Sequence, residues 1–210
     1  YSVEEDVKRI RFQPGIVGGF INNVLKPHGR RIGPDPASID ACMMGGILAN
    51  NSSGMCCGTA QNSYHTLAGM RVVLADGTVL DTRDPASRAD FAARRPDLAA
   101  GLAELGRGTR EDASLAQHIR HKFRLKNTSG YGLNALVDFS DPVDILAHLM
   151  IGSEGTLGFI SEITFQTVEE HAHKASALIL FDHLESACAA VTRLKPTPVV
   201  AVELLDRASL

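Results

Sequence analysis

The sequence predicts a mixed fold in which helices and β-strands share one framework, and three segments carry that reading. Residues 14–30 (PGIVGGFINNVLKPHGR) set apolar side chains at Ile16, Val17, Phe20, Ile21, Val24 and Leu25. That is the i, i+3/i+4 spacing of a helix with one buried face. Residues 70–82 (MRVVLADGTVLDT) place two β-branched runs around Asp76-Gly77, a pair favoured in tight hairpin turns. Near the end, SALILFD, HLESACAAVTRLK and VVAVELLD (176–206) read as strand, helix, strand.

The remaining elements follow in order. Pro14 suits the first turn of the first helix, and Pro27 with Gly29 stops it. PDPAS (34–38) is a turn-rich loop. GGILANNSSGMCCGTAQN (45–62) is almost entirely small side chains, and predicts irregular backbone with a short helical turn at most. Residues 85–108 are rich in Ala and Arg, with weak helical patterning at Leu98, Leu102 and Leu105. A helix is predicted from Glu111 to about Phe123, with Leu115, Ile119 and Phe123 on one face. Asp141 is a good N-cap, Pro142 fits the first helical position, and Ile145, Leu146, Leu149 and Met150 form the buried face of a helix ending at Gly152. GSEGTLG (152–158) then leads into the strand FISEITF (159–165), and the charged link VEEHAHK follows.

Composition narrows the function classes. A hydrophobic content of 44% and charged content of 21% suit a folded soluble chain, and 210 residues allow one large or two small domains. A net charge of -3 gives no electrostatic case for nucleic acid or an anionic membrane. The longest apolar run, Ala177 to Phe181, is far too short to span a bilayer. The chain opens on Tyr1 without a signal-like segment, and reads as a piece of a longer protein. Cys42, Cys56, Cys57 and Cys188 form no CxxC pair, and adjacency argues against a disulfide between Cys56 and Cys57. They read as small buried thiols in a reducing, cytoplasmic compartment.

Several motifs could carry chemistry. GSEGTLG has glycines at 152, 155 and 158, but a nucleotide-binding loop needs them after a strand and before a helix, and here the order is reversed. On spacing alone it is a helix C-cap with a tight entry into a strand. KNTSGYGLNAL (126–136) brings a lysine, amides, a hydroxyl and Tyr131 to a loop, groups that orient a ligand or decorate a solvated turn. The eight histidines assemble into no metal set: His171 and His173 lack a third ligand, and His118 and His121 read as a surface pair. No nucleophile triad or acid–base pair is evident, so the catalytic residues are left unassigned. ANNSSG mixes small polar groups with Met43, Met44, Ile47, Leu48 and Met55, which favours a close-packed, ligand-contacting loop over a linker.

Taken together, PGIVGGFINNVLKPHGRRIGPDPAS, ACMMGGILANNSSG, LAGMRVVLADGTVL, KNTSGYGLNALVDF and LMIGSEGTLGFISEITF resemble, in the same order, the FAD-linked oxidases. These share the PCMH-type (vanillyl-alcohol-oxidase-like) FAD-binding fold. The nearest branch resembles D-lactate dehydrogenases, the glycolate oxidase D subunit and D-2-hydroxyglutarate dehydrogenases. The resemblance implies an α+β fold, with residues 1–168 a partial FAD-binding domain, mainly its second subdomain, and 169–210 the start of the C-terminal substrate-cap domain.

It also implies the cofactor and its contacts. FAD would meet Pro34, Asp35 and Ser38 along the flavin and pyrophosphate region. Gly45, Gly46, Ala49, Asn50, Ser52, Gly54 and Gly58 would line it through backbone and small polar groups. Gly155 and Ile160 would lie along the cofactor, and Lys126, Asn127 and Tyr131 near the flavin's substrate side. The expected activity is hydride transfer from the α-carbon of a small D-2-hydroxy acid to the flavin, with an electron acceptor the sequence leaves open. The family's first glycine-rich pyrophosphate loop falls before Tyr1, and its histidine cluster and catalytic base fall after Leu210. No metal is therefore expected within this chain, an oligomer or a place peripheral to the membrane is compatible with the resemblance, and no nucleic-acid partner is expected. The alternatives are a cofactor-binding or structural fragment with no activity of its own and, more weakly, a nucleotide-sugar reductase of the same fold.

Overall fold

A computed structural model describes residues 1–208. In chain order its elements are β1 (Ser2–Val3), β2 (Arg9–Phe12), α1 (Gly18–Leu25), a 3-10 turn (Lys26–His28), β3 (Arg30–Ile32), α2 (Met44–Asn50), α3 (Ser63–Thr66), β4 (Leu67–Val73), β5 (Val79–Asp81), α4 (Pro85–Arg94), α5 (Pro96–Glu111), α6 (Ala113–Lys122), α7 (Ala135–Asp138), α8 (Pro142–Leu149), β6 (Phe159–Glu169) and α9 (Leu184–Leu194). The strands form one antiparallel sheet in the order β1-β2-β6-β4-β5, with β3 pairing the far end of β6. The fold is α+β, as the sequence resemblance implies.

The long strand β6 is the axis of the sheet. β2 pairs one edge through Ile10↔Phe165, and β4 pairs the other through Met70↔Ile163. Alternation sends Ile10, Phe12, Val72, Leu80, Ile163 and Phe165 into the core, each at most 1% exposed. Asp76-Gly77 makes the predicted hairpin turn, with Gly77 at φ 83. α4, α5, α7 and α8 add Phe91, Leu102, Leu136 and Ile145 to the same apolar cluster.

Five sequence expectations change. The first helix starts at Gly18 rather than near Pro14, because residues 14–17 instead stitch to α2: Gly45 N–H donates to the Pro14 carbonyl and Met44 N–H to the Ile16 carbonyl, both at 2.8 Å. Met44–Asn50 is a true helix, held by complete burial of Met44, Ile47 and Leu48 despite its glycines. The predicted helix at 111–123 forms as α6 with its start moved to Ala113, because the Asp112 carboxylate caps it by accepting from Leu115 N–H at 2.9 Å. Its buried face carries Ala116 and Ile119, while Leu115 is 44% exposed. Finally, among the described residues 176–182 and 199–206 take no strand conformation and their large apolar side chains stand exposed, while α9 between them forms as expected. Of the four thiols, Cys57 is buried and Cys56 and Cys188 are exposed, so the expectation of buried cysteines holds only in part.

The cap at α8 is quantifiable. Asp141 Oδ1 accepts from Val143 N–H at 2.8 Å and Asp144 N–H at 3.3 Å, and Arg88 Nη2 donates to the same carboxylate at 2.8 Å. Asp141→Ala is expected to lower stability by about 1 kcal/mol, read as a lower midpoint in urea with an unchanged slope.

Candidate cofactor-binding site

Three segments far apart in sequence meet at one wall: the α2 C-terminus with its following loop, residues 126–134, and the 152–158 loop. Glu154 N–H donates to the Ala49 carbonyl at 3.1 Å, and Asn50 Nδ2 donates to Glu154 Oε1 at 2.6 Å. Ser52 Oγ then donates to Asn50 Oδ1 at 2.7 Å. Lys126 Nζ donates to the Gly54 carbonyl, and Asn51 Nδ2 to the Asn127 carbonyl at 3.4 Å. The Tyr131 hydroxyl lies 2.8 Å from Thr156 Oγ1; the Thr156 proton is used on the Ser153 carbonyl, so Tyr131 donates. The two glycine-rich stretches singled out separately in the sequence are thus one surface.

Its backbone needs explain its glycines. Gly152 (φ 87), Glu154 (φ 52) and Gly155 (φ 79) turn the chain through left-handed conformations on the way into β6. Gly58 (φ 54) and Gly155 have open space where a side chain would be, and so does Gly46 on α2. Gly45 is different: a Cβ there would lie 2.7 Å from Pro14 Cβ. Gly54 is the tightest, with its would-be Cβ 1.8 Å from the Asp35 carbonyl oxygen.

Asp35 is half-buried and acts as an internal clamp. Its carboxylate accepts from Gly54 N–H at 2.9 Å, Cys56 N–H at 2.9 Å and Cys57 N–H at 3.1 Å. Burial pushes this carboxyl up, but the hydrogen bonds from Cys57, Cys56 and Gly54 outweigh it and hold it below the usual value. Burial, with the Asp35 charge, pushes the Cys57 thiol up and keeps it protonated. Pro34 is buried, whereas Ser38 is exposed and donates to Cys42 Sγ at 3.4 Å. The Ile160 side chain is 6% exposed and belongs to the core, leaving its backbone as the part that could meet a ligand. Asn127 Nδ2 donates to the Ser129 carbonyl at 3.3 Å, which shapes its own loop.

Sequence reasoning missed Asn51, Asn134 and Glu154. Glu154 sits inside a motif read only for its glycines, and its left-handed conformation (φ 52) is set by the fold. Asn51 and Asn134 line a narrow cleft of about 20 Å³ between the wall segments, together with Tyr64, His65 and Gly152. Their Oδ1 atoms are buried and unpartnered. Open glycine faces and orphaned acceptors fit a flat, polar cofactor laid against this wall. Among the described residues no three His, Cys, Asp or Glu side chains group to hold a metal, and no helix is long and apolar enough to cross a membrane.

Beneath the wall lies an aromatic cluster. His148 stacks on Phe139 at 4.0 Å between ring centroids and stands edge-on to Tyr64 at 4.9 Å. Its Nδ1 donates to the Asp144 carbonyl at 2.8 Å. Burial pushes the imidazole below its ordinary value, outweighing the Asp144 and Asp138 contributions that favour its charge. The unfolded chain therefore takes up this proton first. His148 stabilises the fold fully above about pH 6.5, and that contribution is lost as pH falls from there toward its lowered folded value. Melting temperature is expected to drop between pH 7.5 and 5.5, with a shallower drop in His148→Phe; equal slopes would refute the assignment.

Comparison with known proteins places this geometry. Residues 1–83, which include the whole PDPAS loop, α2 and the Asp35 clamp, match the FAD binding domain family. That stretch is similar to an FAD binding domain, which supports FAD as the cofactor the motifs imply. Over 98% of its length it is 28% identical to D-2-hydroxyglutarate dehydrogenase of Pantoea ananatis, covering 20% of that protein. It is 26% identical to the mitochondrial D-lactate dehydrogenase (cytochrome) 1 of Saccharomyces cerevisiae, over 94% of this chain and 25% of that one. It is 25% identical to glycolate oxidase subunit GlcD of Escherichia coli, over 97% of this chain and 31% of that one. These are the branches named from the motifs. The chain spans about a fifth to a third of the length of the curated relatives it matches.

Proposed function

We propose that residues 1–168 form one wall of the FAD site in a flavin-dependent dehydrogenase of D-2-hydroxy acids, and that 169–210 begin its substrate-cap domain. The observation that carries this reading is the convergence of α2, residues 126–134 and the 152–158 loop, closed by the Asn50–Glu154 and Lys126–Gly54 hydrogen bonds. When bound, FAD supplies the acceptor for a hydride from the substrate α-carbon.

The chain's own residues hold and shape that site. Gly46, Gly58 and Gly155 let the cofactor approach backbone, while Asn50, Ser52 and Glu154 present polar groups without bulk. Gly45, Gly54, Asp35 and Pro34 act one step behind, fixing α2 and the loop after it. Ala49 and Ile160 contribute main chain, and Ser38 stands at the exposed edge. Lys126, Asn127 and Tyr131 close the wall on the side assigned to substrate, with the Lys126 charge tied to the Gly54 carbonyl.

Calorimetric titration of the chain with FAD tests the site, and saturable micromolar binding is the expected result. The reaction class is tested on the flavin-loaded intact protein, whose visible absorbance should bleach anaerobically with a D-2-hydroxy acid. A loaded protein indifferent to D-lactate, glycolate and D-2-hydroxyglutarate would remove the substrate assignment. Failure of the chain alone to bind FAD, with binding by the intact protein, would favour the inert-fragment alternative.

A further inference from the structure

Two of the three orphaned buried side-chain atoms among the described residues belong to side chains that line the same cleft. They are Asn51 Oδ1 and Asn134 Oδ1. Each amide is oriented by its nitrogen: Asn51 Nδ2 donates to the Asn127 carbonyl and Asn134 Nδ2 to Asp138 Oδ2, both at 3.4 Å. What is left over on each is an oxygen that only accepts. Asn134 is 8% exposed, so bulk water does not make up the deficit.

Thr59 and Asn62 also line the cleft with a hydroxyl and an amide, yet neither Asn51 Oδ1 nor Asn134 Oδ1 accepts from them. Tyr64 spends its hydroxyl proton on Asp138 Oδ2 at 2.8 Å. His65 Nδ1 faces Asn62 Oδ1 at 3.0 Å, an acceptor, so Nδ1 carries the ring proton and Nε2 is a further acceptor. Phe123, Leu125 and Ile151 supply flat or apolar wall. Gly130 (φ 74) and Gly152 (φ 87) border the cleft in left-handed conformations that leave flat backbone toward it.

We infer that this cleft receives an N–H edge of a flat heterocycle, which donates to Asn134 Oδ1 and Asn51 Oδ1. The inference rests on the FAD reading above, and FAD offers two such edges: the flavin imide and the adenine amine. The test titrates the full chain with FAD, with FAD methylated at the flavin imide, and with FAD dimethylated at the adenine amine, following flavin fluorescence. One methylated form is expected to bind roughly tenfold more weakly than FAD, which identifies the edge that enters. Asn134→Leu should lose a similar factor for FAD, become indifferent to that methylation, and melt no lower than the unaltered chain, since an orphaned acceptor is gone.

Both methylated forms binding as tightly as FAD would overturn the inference and leave the FAD site standing, with trapped water as the partner of the two oxygens. A lower melting temperature in Asn134→Leu with equal weakening of all three ligands would make Asn134 structural and overturn it too. Absence of FAD binding by the chain and by the intact protein alike would overturn this inference and the reading it rests on; where only the intact protein binds, the same three titrations on it decide. Should the variant fail to fold, the analogue titrations on the unaltered chain decide alone.

Discussion

Gly54→Ala should cost the protein both its FAD affinity and a measurable part of its stability, while Gly46→Ala should cost only affinity. The two glycines lie in the same small-residue stretch but meet different neighbours. A methyl group at Gly54 would sit 1.8 Å from the Asp35 carbonyl oxygen and 2.5 Å from its carboxylate, so backbone must move. The loop cannot shift without breaking the three N–H bonds that converge on Asp35. Overpacking of this kind costs about 1–3 kcal/mol, and lost bonds to a charged acceptor add to it. For a chain of this size that is a fall of roughly 5–12 °C in melting temperature. FAD affinity should fall by about a hundredfold or more, because the loop carrying Ser52 and Gly58 is displaced.

Gly46 meets nothing within 4 Å, and alanine is the better helix former by roughly 0.5–1 kcal/mol. Gly46→Ala should therefore melt slightly higher, while its methyl group holds the cofactor away from α2. Thermal melts of the apo chains, with calorimetric FAD titrations, separate the two roles. Unchanged FAD affinity in Gly46→Ala would show that Gly46 does not face the ligand.

How much of this was legible in the sequence depends on how local the cause is. The Asp76-Gly77 hairpin and the Asp141-Pro142 helix start are written in adjacent residues, and both form as read. α2 was not legible, because its glycines disfavour a helix and the burial of Met44, Ile47 and Leu48 that overrides them is tertiary. The Pro14 start failed for the same reason: residues 14–17 find their partners 26–31 positions away, across Val17↔Met43 and Pro14–Gly45. The expected strands at 176–182 and 199–206 have the right composition yet join no sheet among the described residues, and composition alone does not make a strand. At the site, ANNSSG and GSEGTLG could each be flagged from composition, and their pairing came from resemblance. Only the fold brings Asn50 and Glu154, 104 residues apart, into one hydrogen bond. The roles of Asn134 and Asp35 depend on what surrounds them, which no spacing encodes.

Phe165→Ala carries the largest expected loss of stability. Phe165 is fully buried at the centre of β6, paired across the sheet with Ile10 on one side and Leu67 on the other. Its ring meets Phe12 edge-on, with centroids 5.7 Å apart and planes at 80°. Removing it forfeits the transfer energy of the ring and leaves a cavity among strands that cannot collapse without breaking their ladder. Such changes cost about 3–5 kcal/mol, against a total stability of roughly 5–15 kcal/mol for a domain. The loss should reach FAD binding through unfolding alone, because β6 begins where the 152–158 loop ends and the loop is held only while the strand is. A urea titration should show a large drop in midpoint, with FAD binding lost in proportion to the unfolded fraction rather than by a change in the folded site. Phe165→Leu, which keeps most of the volume, should recover much of both. If Phe165→Ala instead stayed folded with FAD affinity selectively lost, the ring would be acting on the wall itself, and β6 would be more than the axis of the sheet.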